Sequence, residues 1–289
     1  MTCASSSSRA AAKATTTKSL ASLASDRPLS GLRIGLPVQT HLPEPYLQLS
    51  RPLLRHLQTL GASLVPVDLP SYRLALPAYY VLACAEASSN LARYGGGWYG
   101  SEHERQARDE SGEERRRRIR TEGFGREVMK RLLAGTYALS AKYVKLHSDQ
   151  ASGLQSSRPS EFNNTYLKAL YLRSQLRREF ANTFRIPHPA RPPRDAPTDG
   201  VDLILHPTAI RTAPVLGIPA EDRNEKSGYL QDLSTVPASL AGIPAMSIPA
   251  GRWKDGWPVG VSLTGQWGTE ELLFYAGRAI EDWARGVEE

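Results

Sequence analysis

The stretch Tyr229–Gln266, YLQDLSTVPASLAGIPAMSIPAGRWKDGWPVGVSLTGQ, decides the fold. Two apolar runs, Ala245–Ala250 and Pro258–Thr264, flank a polar Lys254-Asp255-Gly256 turn. Val, Ile and Ser on those runs suit buried strands, so they predict a strand pair closing a sheet. Upstream, Thr235–Gly242 is apolar and rich in small residues. It predicts a helix able to approach another backbone closely before the Gly242-Ile243-Pro244 stop. Asp232 is the one polar group placed where this packing begins.

Working outward, Leu32–Pro37 (LRIGLP) and Ser63–Leu69 (SLVPVDL) read as strands. Between them Leu49, Leu53, Leu54, Leu57 and Leu60 recur at helical spacing over Tyr46–Leu60. Strand, helix, strand implies a right-handed crossover and parallel pairing, with Gly61 at the expected left-handed cap. Leu76–Tyr94 predicts a helix with Pro77 in its first turn and a small face of Ala83, Ala85, Ala87, Ser88 and Ser89. The triple glycine Gly95–Gly97 ends it. Phe124–Lys145 resumes a helical pattern, with an expected interruption at Gly135-Thr136. Tyr166–Phe184 predicts a long helix with Leu167, Leu170, Tyr171, Ser174, Leu176 and Phe180 on or near one face. His147–Ser160 and the five-proline segment 186–200 read as loops. Val201–His206 reads as a buried strand stopped by Pro207. Thr269 is the expected N-cap of a last helix reaching about Arg285. Alternating strands and helices argue for an α/β fold with a mixed or parallel sheet covered on both faces.

The chain has 289 residues, 40% of them hydrophobic, enough for one large domain or two small ones. A net charge of +7 suits an anionic surface or RNA, and equally a basic organellar protein with solvated arginines. Residues 101–122, including Arg115–Arg118, carry charge of both signs and read first as a solvated surface helix or loop, and second as a tRNA-facing patch. Cys3 and Cys84 are too far apart in sequence and context to suggest a disulfide or a metal site; Cys84 reads as a small core residue. The first 25 residues hold Arg9, Lys13, Lys18 and no acid among Ser, Thr and Ala. That is the composition of an organellar transit peptide, or of a disordered leader.

The common catalytic patterns are missing from the sequence. His41, His56, His103, His147, His188 and His206 show no metal-ligand spacing. There is no nucleophile elbow, P-loop or dinucleotide fingerprint.

Several blocks carry a resemblance instead. TVPASLAGIPAMSIPAG followed by DGWPVGVSLTGQ is similar to the C-terminal block of amidase-signature enzymes. ALPAYYVLACAEASSNLARY, EGFGREVMKRLLAGTYALS and YLQDLSTVP look like one branch of that family, the A subunits of glutamyl-tRNA(Gln) amidotransferases of the mitochondrial type. The likeness runs from about Gly31 to Glu281, with the blocks in the family's order. It implies the C-terminal part of an α/β/α amidase-signature sandwich with a mixed central sheet, over residues 31–289 and with loop insertions near 147–160 and 186–200.

The resemblance further implies a catalytic lysine, and a cis-serine and nucleophilic serine that lie in a Gly/Ser-rich block N-terminal to the matched region. A serine needs an adjacent base to attack, and Ser5–Ser8 lack the flanking glycines of an oxyanion hole. No catalytic residue is therefore expected in this chain, and it should not hydrolyse amides alone. What remains is substrate recognition. Glutamine is a zwitterion and needs a cation for its carboxylate and an anion for its ammonium. By motif position the family's arginine falls on Arg131, its aspartate on Asp232, and its pocket tyrosine on Tyr79 or Tyr80. Without the resemblance, Arg131 reads as a helix-surface arginine and Asp232 as an N-cap. Implied partners are the B and C subunits of a hetero-oligomer in the mitochondrial matrix. ATP and Mg²⁺ act in the B subunit, and glutamyl-tRNA is met mainly through that partner; no membrane is involved. Departures from the family pattern are Gly95 in place of an Asp after SNLARY, and Lys142–Lys145 followed by a Ser-rich insertion in place of a Tyr-rich run. A truncated, non-catalytic or assembly subunit is the competing reading, together with a fragment of another amide hydrolase.

Overall fold

A computed structural model describes residues 27–40, 44–95, 110–140, 162–188, 199–213, 229–253 and 256–288. The expected leader, the 147–160 loop, the 101–109 charges and most of the proline-rich loop lie outside the described residues. The chain divides into two compact units, Met1–Leu76 with Ser174–Glu289, and Pro77–Arg173.

The first unit is built on a mixed sheet of five strands in the order β2-β1-β3-β5-β4. These are β1 (Arg33–Pro37), β2 (Ser63–Val67), β3 (Leu203–Pro207), β4 (Ala245–Arg252) and β5 (Pro258–Gly265). β1 is parallel to β2, as the strand-helix-strand reading requires, and also to β3, and β5 runs antiparallel to β3 and β4. The predicted strand pair is thus present, with Ser247 opposite Ser262 and Met246 opposite Leu263. Each edge strand contains a proline, Pro66 in β2 and Pro249 in β4.

Helix α1 (Glu44–Thr59) ends before Gly61, whose φ of 98° is the predicted left-handed cap. With the last helix, labelled α7 (Glu270–Glu288), it packs on the sheet. Strand alternation puts Ile34, Leu203, Leu205, Ile248, Val261 and Leu263 into one core with Leu53 and Leu57 of α1 and Leu272, Ala276 and Ile280 of α7. The α7 residues recur every four positions, which lays them on one stripe. Thr269 immediately precedes α7, but its hydroxyl donates back to the Gln266 carbonyl at 2.7 Å.

One buried charge pins the sheet. Asp202 is 1% exposed, accepts the Arg33 backbone N–H at 2.8 Å and is ion-paired with Arg185. Arg185 also donates to the Gly31 carbonyl at 2.9 Å. The apolar reading of Val201–His206 passed over this carboxylate.

The second unit is helical: α2 (Ala75–Ala92), α3 (Gly112–Glu122), α4 (Arg126–Ala138) and α5 (Lys168–Thr183), the boundaries falling within α2 and α5. α6 (Val236–Ala241) belongs to the first unit and is closed by Gly242 at φ 74°, as its sequence predicts. The expected break at Gly135-Thr136 is absent, because α4 runs through it. Gly135 is instead a point of close approach. A Cβ there would lie 2.0 Å from the Cys84 carbonyl oxygen and 2.8 Å from the Ser88 Cβ. Ser88 and Thr136 hydroxyls meet beside it at 3.0 Å. α5 buries Leu176 and Phe180, but Leu167 and Tyr171, expected on the same face, are exposed.

Helix α3 opens with a reciprocal capping pair. The Ser111 hydroxyl accepts the Glu114 N–H at 3.2 Å, and the Glu114 carboxylate accepts the Ser111 N–H at 2.8 Å. The bonds from Ser111 hold the Glu114 carboxyl below its ordinary range. Within the arginine run, Arg118 is engaged by Glu110 at 2.6 Å and Glu122 at 3.7 Å.

Candidate functional site

Arg131 and Tyr80 come together in the second unit. The guanidinium lies 5.9 Å from the centre of the Tyr80 ring, a cation–π arrangement. Tyr79 meets Tyr80 edge to face at 5.5 Å. Tyr80, Cys84 and Ser88 are spaced four apart and so form one stripe of α2, and Gly135 and Thr136 meet that stripe at Cys84 and Ser88. Burial pushes the Cys84 thiol up, and the nearby positive charge of Arg131 pulls the other way. Arg131 itself is exposed, so its fork remains accessible to an anion.

Asp232 belongs to the first unit. It sits half-buried in a 3₁₀ turn, Gln231–Leu233, three residues before the N-cap position of α6, which is Thr235. Its backbone carbonyl, not its carboxylate, receives the Thr235 N–H at 3.2 Å and the Thr235 hydroxyl at 3.3 Å. The N-cap reading of Asp232 is therefore not realised.

In the same unit, His206 is 5% exposed on β3. Its Nδ1 lies 2.9 Å from the Pro207 carbonyl and its Nε2 3.3 Å from the Thr264 hydroxyl. Burial lowers its pKa, keeping it neutral. Tyr72 stands edge-on to it and donates to the Ser234 carbonyl at 3.0 Å. Desolvation drives the Tyr72 phenol well above its usual range.

The sheet face away from α1 and α7 carries a row of hydroxyls that the reading of the sequence did not single out. Thr208 lies 2.8 Å from both Ser247 and Ser262. Thr208 and Ser247 line a cleft of about 490 Å³, which also includes Gln231, Arg211 and Gly260. The signal was present in β5, where Gly260, Ser262 and Thr264 alternate with Val259, Val261 and Leu263. No cluster of His, Cys, Asp and Glu suited to a metal occurs among the described residues, where no helix is long and apolar enough to cross a membrane.

The mixed sheet with its flanking helices defines an α/β protein, and residues 2–274 match the model of the Amidase family; the chain belongs to that family. Its relatives include one particular protein under the same name from several organisms. The A subunit of the mitochondrial glutamyl-tRNA(Gln) amidotransferase of Mycosarcoma maydis is 41% identical over 293 residues, 97% of this chain and 50% of that protein. Its counterpart in Neurospora crassa is 38% identical over 89% of this chain and 51% of its own length. Among solved structures, the A subunit of the Thermotoga maritima glutamyl-tRNA(Gln) amidotransferase matches with a TM-score of 0.56 and 26% identity, over 88% of this chain and 43% of that one. The chain spans about half the length of the curated relatives it matches.

Proposed function

We propose that this chain is the glutamine-binding part of a glutamyl-tRNA(Gln) amidotransferase, within its A subunit. The observation that carries the reading is the 41% identity, across nearly the whole chain, with a protein of that name. Arg131 over Tyr80 adds local chemistry: a stacked, accessible guanidinium is suited to a carboxylate, and Tyr80 rather than Tyr79 is its neighbour. Asp232 supplies the anion for the substrate's ammonium. The nucleophilic serine and its bridging serine come from the Gly/Ser-rich block that precedes the matched region in the resembled family, and the lysine likewise comes from outside this chain. The released ammonia passes to a B subunit, which uses ATP and Mg²⁺ to amidate glutamyl-tRNA, with a C subunit completing the assembly. The site of action is mitochondrial, in keeping with the names of the fungal relatives.

The test is release of glutamate from glutamine by the purified chain, alone, with the B and C subunits, and with the N-terminal amidase half added. Expected is no turnover alone or with B and C, and turnover once that half is supplied. Arg131→Ala or Asp232→Ala then raises KM about tenfold or more, the scale of a lost charge-assisted hydrogen bond. Turnover by the chain alone would sink the assignment of the nucleophile elsewhere. Full activity in both variants would remove the glutamine site from these residues.

A further inference from the structure

The arginine-rich helix α3 takes no part in the site assigned to glutamine, and its charges divide into two sets. One set is satisfied within the fold: Glu114 closes the cap with Ser111, and Arg118 engages Glu110 and Glu122. The other set faces solvent. A helix turns by about 100° per residue, so Arg116, Arg120, Glu113, Arg117 and Thr121, all exposed, share one arc opposite the buried Ile119. Arginines outnumber the single carboxylate on that arc, and no aliphatic or aromatic side chain lies among them.

A solvated helix face sets opposite charges three or four residues apart. Helix α7 does so, pairing Arg278 with Asp282 and Arg285 with Glu281. On α3 the residue four after Arg116 and three after Arg117 is another arginine, Arg120. The side chains of Arg116 and Arg117 make no hydrogen bond or ion pair among the described residues. The same holds for Arg126, exposed at the first position of α4. That end of a helix is the positive end of its dipole and disfavours a cation, and the adjacent Glu127 is engaged by Lys130 at 3.1 Å. Like charges at helical spacing and a cation at a helix start both work against the fold. Local rules broken without compensation inside the molecule mark a surface shaped for a partner.

The chemistry of that partner follows from the side chains. All four cations are guanidinium groups, whose planar fork donates two parallel bonds to a phosphate. A helix lying on a lipid surface would carry large apolar side chains beside its cations, and a groove for single-stranded nucleic acid would carry aromatic ones on which bases stack. The arc has neither. We propose that the surface of Arg116, Arg117, Arg120 and Arg126 binds the sugar-phosphate backbone of double-stranded RNA without reading its sequence. Taking the polymer to be RNA rests on the function proposed above. The charge argument involves neither Arg131 nor Asp232, so a failed glutamine site leaves this surface standing.

The experiment follows the fluorescence anisotropy of a short labelled RNA duplex of arbitrary sequence, titrated with the 289-residue chain at several salt concentrations. Binding is expected, with the logarithm of the affinity falling linearly with the logarithm of the salt concentration. The double variant Arg116→Ser/Arg117→Ser weakens it about tenfold or more, the scale of lost charge-assisted bonds, and makes the slope shallower by about one for each arginine removed. Arg278→Ser/Arg285→Ser removes the same charge from α7 and leaves the affinity that of the unaltered chain. All four positions are exposed, so both variants keep the fold, checked by unchanged thermal unfolding. Equal weakening by the two double variants would assign binding to net charge alone and overturn the proposal. Tighter binding to phosphatidylserine vesicles or to polyglutamate would make the partner a lipid surface or an acidic protein and overturn it too, as would no binding of RNA at low salt.

Discussion

The two units hold their own interiors together by opposite means. In the sheet unit, large side chains fill the interior: Leu53, Leu57, Leu203, Leu263 and Ile280 are all at most 1% exposed. In the helical unit the buried apolar residues among those described are Ala78, Cys84, Ala85, Ile119, Ala138 and Ala169. Five of the six are small. Packing there depends on how closely backbones approach, and Gly135 against Cys84 is the tightest example. One unit is stabilised by volume added and the other by volume left out, so substitutions should act on them in different ways.

The largest effect belongs to the filled interior. Leu57→Ala removes a side chain with no exposure and should cost about 3–4 kcal/mol, measured as a fall in the urea midpoint at constant m-value. A loss under about 1 kcal/mol would mean that this core collapses onto the cavity.

Next comes the charge buried within that interior. Arg185→Met leaves Asp202 buried with the Arg33 amide but without its ion-pair partner, and should cost about 2–3 kcal/mol by the same measurement. The upper part of the usual range is discounted because Arg185 is a third exposed.

Gly135→Ala tests the contrast by its sign. Were Gly135 a helix break, alanine would stabilise α4 by about 1 kcal/mol. Because a Cβ would collide with the Cys84 carbonyl, a destabilisation of about 2 kcal/mol is expected instead. It should be read as faster amide exchange confined to peptides of α2 and α4.

The smallest effect is titration of His206. Its folded pKa lies below the ordinary value of 6.5, so below that pH the unfolded chain binds the extra proton. Stability from this group is present above about pH 6.5 and is lost as pH falls toward the folded pKa, by at most about 1.4 kcal/mol per pH unit. The part of the pH-dependent loss due to this residue should vanish in His206→Gln; an unchanged profile would assign the loss to other groups.

The same contrast explains which features were legible in the sequence. Volume leaves a periodic trace. The leucines of α1, the run of β3 and the β4–β5 pair were all readable, as were the left-handed glycines Gly61 and Gly242, which follow apolar helices. Close approach leaves no such trace. A glycine that breaks a helix and one that lets another helix near are the same letter, so Gly135 was read as a break. Asp202 was hidden for a related reason: its partner Arg185 lies 17 residues away, and no local pattern joins them. For the candidate site, spacing alone could not choose between Tyr79 and Tyr80, which are adjacent. That Tyr80 is the one beside Arg131 follows from the register of Tyr80, Cys84 and Ser88, a stripe that matters only once Gly135 is known to lie against it. Asp232 was compatible with capping until the 3₁₀ turn placed Thr235 at the cap position.

The prolines at the two edges of the sheet bear on how the molecule behaves at high concentration. A sheet ending in strands with unbroken rows of N–H groups invites another copy to extend it, the first step toward fibrils. Pro66 and Pro249 each lack that N–H, and the pairing of β4 is further disturbed by a bulge between Pro249 and Arg252. Neither border can be copied as a continuous ladder. Crowding of this chain should therefore give disordered or face-to-face association through side chains rather than ordered stacking of its sheet.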